Sequence, residues 1–146
     1  MTDLKSFLLN KGYKFFKLKK TKSQHFVLKA KINGVQGIFI LDTGASHSCV
    51  GLHDIALFNL KLKQTDKIAA GAGSTNIKTQ ISKKNSLKIK QFNLINLTLV
   101  VIDLSHVNTA LKEHNTPPVN GIIGADVLQK NSAIIDYSNK GLYLKK

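Results

Sequence analysis

Residues 25–41 constrain the fold more than any other stretch of the chain. From His25 to Ile32 the sequence alternates, with Phe26, Leu28, Ala30 and Ile32 on one face. Asn33-Gly34 follows, and then a second run from Val35 to Leu41. Asn-Gly between two such runs is a strong hairpin signal, because both residues tolerate the positive φ that the tight turn needs. The second arm ends in Ile38-Phe39-Ile40-Leu41, apolar on both faces, which predicts a central strand covered on both sides.

The rest of the chain continues in the same style. Tyr13 to Lys20 reads as an edge strand guarded by lysines. Ile68 to Gln80 carries Ala69-Ala70-Gly71-Ala72-Gly73-Ser74, a hairpin tip between strand-like arms. Ser86 to Lys90 and Leu94 to Ile102 read as strands, and Ala133 to Tyr137 with Leu142 to Leu144 as a last hairpin. Three short helices are expected. The first covers residues 2–10, capped by Thr2 or Asp3, with Leu4, Phe7 and Leu8 as its apolar stripe and Gly12 as its stop. The second covers Ser105 to His114, capped by Ser105. The third covers Ala125 to Asn131, with Leu128 facing inward. Pro117-Pro118 marks a loop. Many short strands, glycine turns and few helices predict an all-β barrel. At 146 residues and 42% hydrophobic content, one domain with a real core is expected.

Composition narrows the setting. No apolar run approaches the ~20 residues of a membrane span, and Phe7-Leu8-Leu9 is too short for the apolar segment of a signal peptide. One cysteine, Cys49, has no internal partner. A cytoplasmic location and no membrane partner are therefore expected. The net charge is +14, and every basic residue is lysine. It concentrates in residues 1–31, at +8, and residues 61–90, at +7. Specific nucleic-acid readout leans on arginine, so the lysines read as a solvated exterior with only non-specific attraction to polyanions.

The chemically loud stretch is Phe39-Ile40-Leu41-Asp42-Thr43-Gly44-Ala45-Ser46. A carboxylate directly after four apolar residues conflicts with a strand interior, so it reads as a strand end whose acid is held for use. Gly44 lets the backbone turn and brings amide hydrogens close to that acid. Thr43 offers a hydroxyl on a stiff side chain. Two hydrophobics and a glycine recur at Ile122-Ile123-Gly124, followed by a short helix and a closing hairpin. His47, Cys49 and His53 match no metal or nucleophile spacing and read as a buried cysteine with surface histidines. His106 and His114 fall on a polar helix face. No metal or cofactor is expected.

In this order the pieces resemble the retropepsin-like aspartic proteases, single-lobe relatives of retroviral proteases and pepsin, from about His25 to Leu144. The resemblance implies a single-domain closed β-barrel with a glycine-rich flap hairpin and one or two short helices. It divides the chain into an arm, residues 1–24, and a protease domain, residues 25–146. It implies an endopeptidase with Asp42 as catalytic acid/base. Thr43 would make a hydrogen bond across the subunits, and Gly44 and Ala45 would support the loop. Gly71, Ala72 and Gly73 would form the flap tip, and Ile123 and Gly124 would brace the loop from below. The family's chemistry needs two aspartates, and Asp3, Asp54, Asp66, Asp103, Asp126 and Asp136 all lack the Thr/Ser-Gly sequel. A homodimer acting on peptide or protein substrates is therefore implied. Pepsin-like members often carry serine where this chain has Ala45, which implies an optimum less acidic than pepsin's. The alternatives are a catalytically weak or inactive dimerisation or peptide-binding module of the same fold and, more remotely, a polyanion binder.

Overall fold

The computed structural model describes residues 3–68 and 78–146. The order is α1 (Leu4–Asn10), β1 (Lys14–Lys17), β2 (Lys19–Lys20), β3 (Phe26–Ile32), β4 (Val35–Leu41) and β5 (Cys49–Gly51). A 3-10 turn at Leu52–Asp54 precedes β6 (Leu62–Ile68), β7 (Lys78–Ile89) and β8 (Phe92–Ile102). The chain ends with α2 (Ser105–Glu113), β9 (Gly121–Ile123), α3 (Ala125–Lys130), β10 (Ile134–Asp136) and β11 (Gly141–Leu144). Among the described residues no helix is long and apolar enough to cross a membrane.

The predicted hairpin forms as its turn chemistry demands. Asn33 and Gly34 both take positive φ, 50° and 85°, and β3 pairs with β4 in unbroken register from Ile32–Val35 to Val27–Ile40. Hydrogen bonding then runs β3-β4-β9-β5-β8-β7, and β7 returns to β3 through Lys31–Lys88 and Ile32–Leu87. Six strands thus close a barrel, which removes the exposed edges an open sheet would have. A separate three-stranded sheet, β1-β11-β10, is antiparallel throughout. The fold is the expected closed all-β barrel with short helices.

The apolar positions explain the layering. Leu28, Ile32, Phe39, Val50, Phe58, Leu87, Leu99 and Ile123 meet in one core. Val27 and Ile40 face the other way and pack with Leu111 of α2 and with Val119. The two-faced run at residues 38–41 is therefore central, with β3 on one side, β9 on the other, and apolar cover on both faces.

Four local expectations need correction. The Tyr13–Lys20 run splits: β1 joins β11, β2 joins β3, and between them buried Leu18 donates its amide to the Lys140 carbonyl. The expected strand Ser86–Lys90 is not separate: Ser86 to Ile89 form the end of β7, whose register shifts around Asn85, with Lys84 at φ 60°, and Lys90 belongs to the turn that follows. Ser105 does not cap α2. It is the first helical residue, and its amide and hydroxyl both donate to Asp103, which holds the entering turn. That same contact keeps the Asp103 carboxyl below its usual range. In α1, Asp3 is the cap, accepting from the Ser6 amide at 2.7 Å, but only Leu8 of the expected stripe is buried; Leu4 and Phe7 are exposed. Two glycines give a test of the packing. A Cβ at Gly121 would stand 2.2 Å from the Cys49 carbonyl oxygen, whereas one at Gly34 meets nothing within 4 Å and is strained only by its φ. Gly121→Ala is expected to destabilise the fold by about 3 kcal/mol and Gly34→Ala by only about 1 kcal/mol in denaturant titrations.

Candidate active site

Asp42 stands one residue beyond the paired end of β4. Leu41 lies opposite Ile123 in the parallel β4–β9 ladder, and the Asp42 amide extends that ladder by donating to the Ile123 carbonyl at 3.0 Å. The chain then turns. The Ala45 amide donates to the Asp42 carbonyl at 3.3 Å, and the Gly44 amide donates to Asp42 Oδ1 at 2.9 Å. Asp42, Thr43 and Gly44 are exposed, and Ala45 is half-buried. A strand end thus presents a carboxylate to solvent, oriented by a backbone amide.

The loop rests on the residues that follow β9. The Ala125 amide donates to the Ala45 carbonyl at 2.7 Å. Gly124 passes so close beneath that a Cβ there would lie 2.5 Å from the same oxygen. Beside it, Ser48 is 1% exposed. Its hydroxyl donates to Asp126 Oδ1 at 2.7 Å and accepts from the Gly124 amide at 2.9 Å. The Ser48 amide donates to both Asp126 carboxylate oxygens, at 3.0 and 2.9 Å. Asp126 also accepts from the Val127 amide at 2.8 Å in the first turn of α3, where a negative charge is favoured. The sequence marks Asp126 only as an acid without the Thr/Ser-Gly sequel and does not mark Ser48 at all. An acid directly after Gly124-Ala125, at a helix start, was the available signal; its partner 78 residues away had none.

The neighbouring candidates are inert in this geometry. Cys49 is buried, and burial pushes its thiol up to about 12, with the charges of Asp126 and Asp42 adding to the effect. A thiol so poised is not a nucleophile near neutral pH. His47, His53, His106 and His114 are exposed. Among the described residues no three His, Cys, Asp or Glu side chains could together hold a metal ion. Gly71, Ala72 and Gly73 lie outside the described residues; β6 and β7 lead to and from them.

The Ser48 contacts are testable. Ser48→Ala strips the Gly124 amide of its acceptor in a buried setting and is expected to cost about 2 kcal/mol in denaturant unfolding. Asp126→Asn keeps an acceptor for the serine and is expected to cost about half of that.

A family model described as aspartyl protease matches residues 28–127. No curated protein matches the sequence. Among solved structures, the chain is similar to a retropepsin-like aspartic protease from Rickettsia conorii, with TM-score 0.61 and 21% identity over 90% of this chain and 89% of that one. It is also similar to the retroviral protease-like domain of Ddi1 from Leishmania major, with TM-score 0.57 and 16% identity over 86% and 90%. EIAV protease bound to an inhibitor matches with TM-score 0.51 and 21% identity over 71% of this chain and 85% of that one. With more than half of its length matched by the family model and its barrel shared with these structures, the chain belongs to the aspartyl protease family.

Proposed function

We propose that the chain is an aspartic endopeptidase whose catalytic pair is Asp42 from each of two identical chains. The observation that carries this reading is the presentation of Asp42: exposed at a strand end, with its carboxylate held by the Gly44 amide at 2.9 Å. Two such acids facing across a water cannot both ionise at close range, so they share one proton. The ionised one takes a proton from the water, which attacks the scissile carbonyl. The protonated one polarises that carbonyl, and the leaving nitrogen is then protonated. A two-fold axis beside Asp42 brings the two acids together and lets exposed Thr43 hydrogen-bond to the other chain's loop. Residues 71–73 close over the substrate, and Ile123 and Gly124 hold the loop from below. Residues 25–146 form the protease unit and residues 1–24 an added arm. The reaction needs no cofactor, and the setting is cytoplasmic.

Two measurements test the reading. The chain and its Asp42→Asn variant are incubated with a diverse peptide mixture from acidic to neutral pH, and products are read by mass spectrometry. Cleavage by the unaltered chain alone is expected, with a loss of at least about a thousandfold in the variant. Equal cleavage by both would assign the chemistry to another group. No cleavage by either, in a sample shown to be a folded dimer, would favour a binding module. The second measurement concerns Ala45. A hydroxyl there would donate to the ionised form of the pair and stabilise it, so Ala45→Ser is expected to move the pH optimum toward acid. An unmoved optimum would remove Ala45 from the account.

A further inference from the structure

The barrel seam has a gap beside it. Along one edge β3 pairs with β4 from Val27 to Ile32. Along its other edge β3 meets β2 at Phe26 and Val27, and β7 at Lys31 and Ile32. Between these two short ladders, and among the described residues, Leu28, Lys29 and Ala30 have no strand partner on that edge. A cleft of about 680 Å³ opens there, lined by residues 28–31 of β3 and by residues 88–91 at the end of β7. Its apolar lining is closed off, since Phe16, Leu28, Ala30 and Ile89 are buried. What it offers to a ligand is charge. Lys29, Lys31, Lys88 and Lys90 line it, all exposed. Lys17 lines it too, with its Nζ 3.4 Å from the Asn139 carbonyl. Among the described residues no acid lines the cleft. Lys31 and Lys88 are also direct partners in the β3–β7 ladder. Like charges opposite each other destabilise a strand pair, and these occupy one of the two residue pairs that join β3 to β7.

We infer that this gap binds a chain of linked phosphates, its oxygens set among the lysines and against the open edge of β3. An anion of several charges lying between Lys31 and Lys88 turns their repulsion into a clamp across the seam. Inorganic oligophosphate and the triphosphate of a nucleotide share this chemistry. Other occupants fit less well. A peptide strand needs a longer free edge than the three residues left between β2 and β7. Single-stranded RNA needs exposed aromatic rings for its bases, and the cleft's one aromatic, Phe16, is 4% exposed. A singly charged anion leaves most of the lysines unneutralised. The site is independent of the catalytic proposal, because none of residues 42–48 lines it.

The experiment is titration calorimetry of the full chain at about 0.15 M salt, with sodium tripolyphosphate, ATP and citrate as ligands. Tripolyphosphate is expected to bind at least about tenfold tighter than citrate. ATP no tighter than tripolyphosphate would identify the free phosphate chain as the ligand, and tighter ATP would identify the nucleotide; either result supports the inference. Lys31→Gln/Lys88→Gln is expected to weaken tripolyphosphate binding by at least about tenfold. Without ligand, the same variant is expected to unfold at a higher temperature than the unaltered chain, because the like-charge pair is gone. Tripolyphosphate should raise the unfolding temperature of the unaltered chain only. The control is Lys112→Gln/Lys130→Gln, which removes equal charge from α2 and α3 and should keep the affinity. Full affinity in Lys31→Gln/Lys88→Gln, or equal loss in both variants, would overturn the inference. So would citrate binding as tightly as tripolyphosphate, or binding to single-stranded RNA with none to tripolyphosphate.

Discussion

The position of Asp42 depends on a three-residue strand that is hydrogen-bonded along both edges. β9 runs parallel to β4 and antiparallel to β5. Parallel neighbours cannot be joined by a tight turn. The chain therefore leaves β4 at Asp42, builds β5 to β8 and α2, and returns to lie beside the strand it left. Room for that return is made by glycine at both ends. A Cβ at Gly121 would collide with the Cys49 carbonyl, and one at Gly124 with the Ala45 carbonyl. The same glycine that ends β9 thus lets the Asp42 loop sit directly on the backbone below it. Because the partners are far apart in sequence, this platform forms only when the barrel does. A carboxylate held this way is exposed at its tip and rigid at its base, the combination a preorganised site needs.

The barrel's closure depends on a second set of non-local contacts, and these are polar. β3 and β7 share only two residue pairs. Asn33 supplements them: its side chain donates to the Phe58 carbonyl and to Asn85 Oδ1, and accepts from the Ser86 amide. Asn85, itself buried, turns its amide group to the Ser82 carbonyl and the Leu97 carbonyl, filling the hydrogen bonds that the register shift in β7 leaves open. A satisfied buried network of this kind fixes one register, since any slip would strand several polar groups away from water. Asn120 does similar work at the start of β9. It accepts from the Ile38 amide at 2.9 Å and donates to Asp54 at 3.1 Å, tying β4 to the 3-10 turn.

What the sequence made legible follows from this division between local and distant causes. The Asn33-Gly34 hairpin was readable because its cause lies in two adjacent residues. Asp42 was readable because an acid after Phe39-Ile40-Leu41 is a conflict visible within the same stretch. The order of apolar segments, glycines and helix after Gly124 was enough to suggest the family and its barrel. β5 was not readable: three residues are too few to show alternation, and Cys49 to Gly51 are buried by strands from elsewhere. Ser48 and Asp126 were missed for the same reason, because a serine and an acid 78 residues apart carry no local mark of their contact. Asn33 was read as a turn residue and is also a clamp on the barrel seam. The lysines were largely legible, as Lys29 and Lys31 alternate with buried neighbours along β3. The stripe on α1 was misjudged, since a helix of seven residues meets too little of the molecule to bury three large side chains.

The described geometry also bears on why one copy would be an incomplete enzyme. Peptide hydrolysis by carboxylates needs an acid and a base at once, on opposite sides of one water. A single carboxylate can act as either but not as both together. The brace beneath Asp42 does not supply the second, because Asp126 is turned inward, its oxygens taken up by the Ser48 and Val127 amides and the Ser48 hydroxyl. Cys49 does not supply it either, buried and held protonated. The remaining face of Asp42 is open and is flanked by the equally exposed Thr43 and Gly44. On the proposed reading, the missing acid is the same residue of a second chain. Water exclusion, which a carboxylate standing on open surface lacks, then comes from that second chain.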